Sequence, residues 1–221
     1  MAIKTDNKVL AEPMLNVQKK PFYSFLKRIF DIVFSVFGLI ILAVPFLIIS
    51  LVIVIDSPGA APIYCQKRIG KNGKEFSFYK FRSMIPNAEN MLESLLEKNE
   101  TDGPAFKIKA DPRITRFGRF IRRSSIDELP QLWNVLKGDM SFVGPRPPLP
   151  REVALYNDYQ MQRLCVTPGI TCFWQIQPKR NSFTFAQWLE LDLKYIKERN
   201  FSIDLLILFK TIGAVCGMEG E

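Results

Sequence analysis

The chain of 221 residues contains no histidine, which excludes the side chain that most often serves as a general acid or base near neutral pH. Any acid, base or nucleophile must therefore be a carboxylate, a lysine, a tyrosine, a hydroxyl or a thiol. Cysteine is also scarce, and no two cysteines have the close spacing of a zinc site. The cysteines, interpreted as free thiols in a reducing cytosol, are Cys65, Cys165, Cys172 and Cys216.

Acidic residues are outnumbered by basic ones, so the net charge is +8 and the isoelectric point is near 9.4. This balance predicts anionic partners, which could be nucleotide phosphates, nucleic acid or the acidic surface of a membrane. The length allows one compact domain of ordinary size. Residues 1–24 are polar and lysine-rich at their start, and we interpret them as a basic N-terminal tail.

A long stretch of the chain carries no charged residue at all. The 24 residues 32–55 would extend roughly 36 Å as an α-helix, against about 30 Å for the hydrocarbon core of a bilayer. Pro45 lies near the middle and removes a helical hydrogen bond, so the helix should kink or break there. Basic residues occur on both sides of the segment, which favours a re-entrant hairpin within one leaflet over a kinked span.

The rest of the chain alternates short extended and helical patterns. Asn72 and Gly73 separate two strand-like arms, which predicts a β-hairpin, and Pro86 opens a polar helical pattern. Residues 201–216 are typical of either a helix in the membrane surface or a buried core helix. We therefore predict an α+β fold: a mainly helical, membrane-associated domain with a small β-hairpin and an N-terminal re-entrant membrane helix. The re-entrant helix, broken at Pro45, would occupy residues 25–58, and a cytosolic domain with interfacial helices would occupy residues 59–221.

Four arginines recur at every third position in the segment DPRITRFGRFIRR, with apolar residues between them. On a helix this pattern makes one face cationic and another apolar. Such a helix could present a solvated charged face, lie on anionic lipid, or bind phosphate. The arginines are Arg113, Arg116, Arg119 and Arg122.

Two adjacent carboxylates, Asp127 and Glu128, follow this segment in SSIDELPQLWN. Ser125 and Glu128 have the spacing of a capping box. With Asp127 as the N-cap instead, Pro130 would lie in the first helical turn, where its missing N–H loses no hydrogen bond. Either arrangement puts both carboxylates at a helix N-terminus, where an anionic substrate could also bind. Carboxylates beside a phosphate can hold magnesium, and a carboxylate can itself attack phosphorus.

Several motifs in order resemble the bacterial sugar transferases, the monotopic polyprenyl-phosphate phosphoglycosyl transferases, over about residues 25–220. They are KRIFD, YKFRSM, DPRITRFGRF, SSIDELPQLWNVLKGDMSFVGPRP, TPGITCFWQI and LDLKYI. The resemblance implies that a cytosolic domain transfers a sugar-1-phosphate from a UDP-sugar to polyprenyl (undecaprenyl) phosphate and releases UMP. It implies a covalent aspartyl intermediate, Mg2+ as cofactor, and a place at the start of exopolysaccharide, capsule or glycoprotein glycan assembly.

The same resemblance assigns roles to individual residues. It implies that Asp127 is the nucleophile and that Glu128 helps Asp127 to hold the metal. It implies that Arg122 binds phosphate and that Arg146 contacts the nucleotide. Pro145 and Pro147 would fix the backbone around Arg146. Lys80 and Arg82 would contact substrate phosphate, or form the polar face of an edge strand.

The chain departs from the family at the break of the membrane helix. The family often has Ser-Pro there, whereas this chain has Val44-Pro45, so another group must satisfy the freed backbone. The chain is expected to resemble the short, core-only class. Its expected location is the bacterial inner (cytoplasmic) membrane, with the catalytic domain on the cytoplasmic face and membrane lipid as a partner.

Two other hypotheses remain for comparison. A non-catalytic membrane-surface scaffold of the same fold is disfavoured by the intact acid pair and arginines. Nucleic-acid binding through the arginine segment is disfavoured by the membrane segment, so no nucleic-acid partner is expected. The donor sugar is left open, and so is a homo-oligomer.

Overall fold

The computed structural model describes residues 17–100, 108, 110–177 and 183–216, so most of the expected basic tail lies outside the described residues. The described helices are α1 (Pro21–Ile41), α2 (Ala43–Asp56), α3 (Arg116–Arg123), α4 (Gln131–Lys137), α5 (Pro150–Val153), α6 (Asp158–Met161), α7 (Phe185–Glu198) and α8 (Phe201–Cys216). The described strands are β1 (Ile63–Ile69), β2 (Glu75–Phe81), β3 (Ser141–Val143) and β4 (Gly169–Thr171). The α+β, mainly helical prediction is confirmed.

The apolar segment forms the pair α1 and α2, whose axes differ by 61°. Among the described helices none is both long and apolar enough to cross a bilayer alone, whereas these two together reach that length and apolarity. The break lies at Leu42, three residues before the predicted position at Pro45. Proline clashes with the turn that precedes it but fits the first turn of a new helix, so the bend falls before it. The Leu42 N–H still donates to the Gly38 carbonyl at 2.9 Å.

One face of α1 is polar although its outer surface is apolar. Tyr23, Lys27, Asp31 and Ser35 recur every fourth residue and therefore share a face. Lys27 forms an ion pair of 2.6 Å with Asp204 of α8. The buried Asp31 carboxylate accepts hydrogen bonds from the Ser141 hydroxyl (3.0 Å) and the Phe142 N–H (3.1 Å) of β3. This polar stripe (Tyr23, Lys27, Asp31, Ser35) docks α1 on the rest of the fold.

The outer faces of α1 and α2 expose many large apolar side chains, including Phe22, Phe37, Ile40, Leu47 and Ile55. A continuous exposed apolar surface of this kind marks a contact with membrane or with another protein. The uncharged segment of residues 32–55 lies within these two helices, which favours the membrane.

The predicted hairpin is confirmed, with β1 and β2 antiparallel around the turn Lys71–Gly73. Asn72 and Gly73 both have positive φ, which explains why these residue types occupy the turn. Asn134 of α4 then binds β2, because its Oδ1 accepts from Tyr79 N–H (3.1 Å) and its Nδ2 donates to the Ser77 carbonyl (2.6 Å).

Two local features differ from the sequence patterns. The helical pattern after Pro86 forms turns and a 3-10 segment (Glu93–Lys98), because Asn87 has a left-handed φ of 59° that interrupts a right-handed helix. β3 and β4 form a short parallel pair that the sequence did not indicate. Strands of three residues are too short to leave a periodic pattern.

The start of α3 is attached to both neighbouring parts of the fold. Thr115 caps the helix by accepting from the Gly118 N–H (2.9 Å), and Asp56 at the end of α2 accepts from the Phe117 N–H (3.3 Å). A Cβ atom on Gly118 would lie 2.0 Å from the Ser83 carbonyl oxygen, so only glycine allows this approach to the chain after β2.

A Gly118→Ala substitution should lower the melting temperature of the detergent-solubilised protein, because overpacking of this kind costs about 1–3 kcal/mol. Gly213→Ala is the matched control, since no atom lies within 4 Å of the added Cβ in helix α8. That change should raise stability by about 0.5–1 kcal/mol. Equal shifts for the two variants would contradict the close approach at Ser83.

Candidate active site at the acid turn

The acid pair lies on a 3-10 turn, Ile126–Glu128, which we call the acid turn. α3 ends at Arg123, and Ser125 then adopts left-handed backbone angles (φ 57°, ψ 15°) that reverse the chain. Neither predicted cap forms: Ser125 makes no side-chain cap, and α4 begins at Gln131 with Pro130 as its N-cap. A left-handed serine costs about 1–2 kcal/mol, and such strain is frequent at functional sites.

Lys80 of β2 lies among the charged groups around this turn. Burial lowers its pKa from 10.5 to about 8, with further lowering by Arg122, Arg68 and Arg146, while Asp127 acts in the opposite direction. Charges act this way only over short distances, so these side chains form one cluster. The structure therefore brings together the predicted residues Lys80, Arg122, Asp127 and Arg146.

The two carboxylates differ in their surroundings. Asp127 is buried, whereas the Glu128 side chain keeps 26% of its surface exposed and lies 3.8 Å from Arg146 in an ion pair. Arg68, Lys80, Arg122 and Arg146 carry four positive charges when Lys80 is protonated, and the acid pair carries two negative ones. The surplus suits a ligand with two or more negative charges.

The backbone around Arg146 is held in place by hydrogen bonds from other parts of the chain. Pro145 and Pro147 are buried on either side of Arg146, and the ring of each proline restricts its own φ. Each carbonyl of residues 145–148 accepts a hydrogen bond. The donors are the Gly169 N–H (3.0 Å), Arg163 Nη2 (3.4 Å), Arg68 Nη1 (3.0 Å) and the Ile69 N–H (2.9 Å), in that order.

A close contact of two glycines supports the same segment. A Cβ on Gly169 would lie 2.1 Å from the Gly144 nitrogen, and a Cβ on Gly144 would lie 2.5 Å from the Thr167 carbonyl oxygen. The motifs GPRP and TPGIT therefore pack against each other through direct backbone contact, which requires glycine at both positions.

Sequence reasoning missed Arg68 and the ion pair of Arg163 with Asp192. Arg68 is one of the basic residues that follow the apolar segment, but it is buried under the Pro147 carbonyl and lies 5.2 Å from the Phe78 ring centre. Strand alternation could have found it, because Arg68 pairs with Phe76 on the face that Lys80 shares. Nothing in the sequence pairs Arg163 with Asp192, which are 29 positions apart and bonded at 2.6 Å.

The remaining predicted cations have separate positions. Arg82 lies beside Lys80, where its Nε donates to the Ala61 carbonyl (2.7 Å) and its guanidinium lies 5.5 Å from the Tyr64 ring centre. The arginine repeat does not act as one face: Arg113 is buried in an ion pair with Asp111 at 2.6 Å, while Arg116 and Arg119 are exposed.

The acid pair suits magnesium better than zinc. Within the described residues no group of three or more cysteine, histidine or acidic side chains could hold a metal. Magnesium commonly takes one or two carboxylates and completes its shell with water and substrate phosphates. Asp127 and Glu128 supply that minimal set, with Glu128 partly exposed.

Comparison with known proteins identifies the family of this chain. The model of the bacterial sugar transferase family matches residues 22–218. The chain belongs to this family. The match runs from α1 to α8, so the family's shared region contains the apolar helix pair as well as the acid turn.

Three named relatives illustrate the extent of the similarity. The galactosyl transferase CpsE of Streptococcus agalactiae is 46% identical over 189 residues, which are 86% of this chain and 42% of that protein. The undecaprenyl-phosphate galactose phosphotransferase of Salmonella typhimurium is 45% identical over 203 residues, 89% of this chain and 41% of that protein. The exopolysaccharide production protein ExoY of Sinorhizobium fredii is 38% identical, and the match covers 91% of this chain and 90% of ExoY. The chain thus spans about two-fifths of the first two relatives.

Replacing Arg163 with methionine should destabilise the protein by about 3–5 kcal/mol, because the buried Asp192 carboxylate loses its cation. The double variant Arg163→Met, Asp192→Leu should recover most of this loss, since it removes the uncompensated charge. Chemical denaturation of the detergent-solubilised protein measures both. A double variant no more stable than Arg163→Met would contradict the proposal that the uncompensated Asp192 charge causes the loss of stability.

Proposed function

We propose that the protein transfers a sugar-1-phosphate from a UDP-sugar to polyprenyl phosphate, releasing UMP, at the cytoplasmic face of the bacterial inner membrane. Membership of the sugar transferase family supports transfer chemistry, and the Salmonella relative's name contains undecaprenyl phosphate as well as a sugar. The observation that carries the proposal is the buried Asp127 carboxylate, which acts on Lys80 as Arg122 and Arg146 do. Such a reaction would begin exopolysaccharide, capsule or glycoprotein glycan assembly.

The proposed reaction has two displacements at one phosphorus atom. In the first, a carboxylate oxygen of Asp127 forms a bond to the β-phosphorus of the UDP-sugar, and the bond to the bridging oxygen breaks so that UMP leaves. In the second, a phosphate oxygen of the acceptor attacks the same phosphorus and the bond to Asp127 breaks. The products are polyprenyl diphosphosugar and the original carboxylate.

The cations around Asp127 supply most of the stabilisation that this chemistry needs. Charge accumulates on the non-bridging oxygens and on the departing phosphate, and arginine and lysine side chains can neutralise it from fixed positions. The rigid backbone at residues 145–148 would hold Arg146 against the nucleotide without a further rearrangement. The second displacement needs no histidine, because the acceptor phosphate is already anionic near neutral pH.

Magnesium is part of this proposal. Asp127 and Glu128 would hold the ion, which would neutralise diphosphate charge when bound. The partly exposed Glu128 would then hold the side chain of Arg146 close to the same phosphates.

We also propose that α1 and α2 enter and leave the same leaflet. The 61° bend and the exposed apolar faces of both helices support a re-entrant arrangement, and the polar stripe of α1 would keep the acid turn at the membrane surface. A polyprenyl acceptor presents its phosphate at that level. The enzyme would therefore meet the acceptor without extracting it from the bilayer.

Intact mass spectrometry tests the covalent step. Purified protein incubated with magnesium and a panel of UDP-sugars, without acceptor, should gain one sugar-phosphate, and Asp127→Asn should not. Asp158→Asn is the matched control, because Asp158 is exposed at the start of α6 and should keep the adduct. Loss of the nucleophile should also reduce UMP release with acceptor by roughly a thousandfold or more.

The other outcomes of this experiment have separate meanings. UMP release with acceptor but no adduct on the wild-type protein would contradict the covalent intermediate and indicate direct transfer. No adduct and no UMP release with any UDP-sugar would contradict the enzymatic proposal and favour a non-catalytic scaffold of the same fold. Full activity in excess chelator would contradict the metal assignment.

The pH dependence of donor use tests the role of Lys80. A lysine is cationic below its pKa, so kcat/KM for the UDP-sugar should fall as the pH rises through about 8. Lys80→Arg keeps the positive charge at every accessible pH and should remove this decline. A variant with the same decline as the wild type would show that another group titrates.

A further inference from the structure

A cavity of about 630 Å³ borders the acid turn. Its walls come from α1, the acid turn, α4, β4 and α8, and most of the lining side chains are apolar. They include Phe30, Phe34, Leu132, Ile170, Leu208 and Phe209. Pockets for small ligands have volumes of about 300–1,000 Å³ and mainly apolar walls with few polar groups.

The acid turn borders both this cavity and the cation cluster. Ile126, Glu128 and Leu129 line the cavity, whereas Asp127 acts on Lys80. Glu128 connects the two, because it lines the cavity and pairs with Arg146 at 3.8 Å. A ligand in the cavity would therefore place a polar end near the reacting groups and an apolar body away from them.

The cavity is continuous with the exposed apolar surface of the membrane-facing helices. Phe34 on α1, and Phe209 and Ile212 on α8, line the cavity and are exposed by 48%, 70% and 60%. An apolar chain could thus pass from the bilayer into the cavity without crossing polar surface. The walls have few polar atoms with which to hold a sugar or a nucleotide.

We propose that this cavity binds the isoprene units next to the phosphate of the polyprenyl acceptor. The inference rests on the proposed function and adds a separate binding site for the acceptor chain. The volume allows a few isoprene units, and the rest of the chain would remain in the bilayer along α1 and α8. The donor diphosphate would bind at the cation cluster and the acceptor chain in the cavity, with the acceptor phosphate taking the place that UMP leaves.

The matched variants Phe34→Ala and Phe37→Ala test this site. Both phenylalanines are on α1 and about half exposed or more, but only Phe34 lines the cavity. Native mass spectrometry of the detergent-solubilised protein would measure binding of geranylgeranyl phosphate in the absence of donor. Phe34→Ala should weaken binding roughly tenfold, which corresponds to part of the burial of one aromatic side chain, and Phe37→Ala should not.

A second pair of variants controls for a local folding defect at Phe34, whose ring contacts that of Phe30 with 4.2 Å between the ring centres. Phe209→Ala should weaken binding and Leu206→Ala should not, because both residues are on α8 and Phe209 is the one that lines the cavity. Equal effects within both pairs would overturn the proposal. Binding of a single-chain phospholipid as tight as that of geranylgeranyl phosphate would also overturn it, because the cavity would then be a general acyl-chain site.

This measurement separates the cavity from the catalytic proposal. The predicted split between paired variants without any UDP-sugar turnover would support the cavity and contradict the proposed function. Wild-type transfer activity with no split between the pairs would overturn the cavity and leave the proposed function intact. Affinity should also rise from geranyl to farnesyl to geranylgeranyl phosphate, and equal affinity across the series would count against a chain-binding cavity.

Discussion

The buried carboxylate of Asp31 is the contact on which the arrangement of the site depends. It is placed in an apolar helix, and it accepts two hydrogen bonds from Ser141 and Phe142 at the start of β3. Leaving such a carboxylate without partners inside the fold would be costly, so α1 is bound to β3 in a fixed orientation. Because β3 leads directly into the segment around Arg146, the same contact links the membrane-facing helices to the cation cluster.

The acid turn borders two chemically different environments. Asp127 acts on Lys80 together with Arg122, Arg68 and Arg146, and burial leaves these charges little screened. Ile126 and Leu129 of the same segment line an apolar cavity that reaches the exposed surfaces of α1 and α8. Under the proposed function, a charged donor would reach Asp127 through the cation cluster and a lipid acceptor through the apolar cavity.

The sequence predicted those features whose cause is local. The hairpin follows from Asn72 and Gly73 in the turn, and the apolar helix pair follows from the absence of charge. The bend was displaced to Leu42 because the steric effect of Pro45 falls on the preceding turn. Features made by distant contacts were missed: Arg68 under the Pro147 carbonyl and Arg163 beside Asp192 have no local pattern. The cluster around Asp127 came from a family resemblance, and the spacing of residues alone left it unresolved.

The central claim is that the donor diphosphate binds at the cation cluster and the acceptor chain in the apolar cavity. Cryo-EM structures of Asp127→Asn in lipid nanodiscs, one with a UDP-sugar and one with polyprenyl phosphate, test it most directly. The account predicts diphosphate against Lys80, Arg122 and Arg146, and the first isoprene units between α1 and α8. Diphosphate on the exposed Arg116 and Arg119 of α3, or isoprene units outside the cavity, would contradict it.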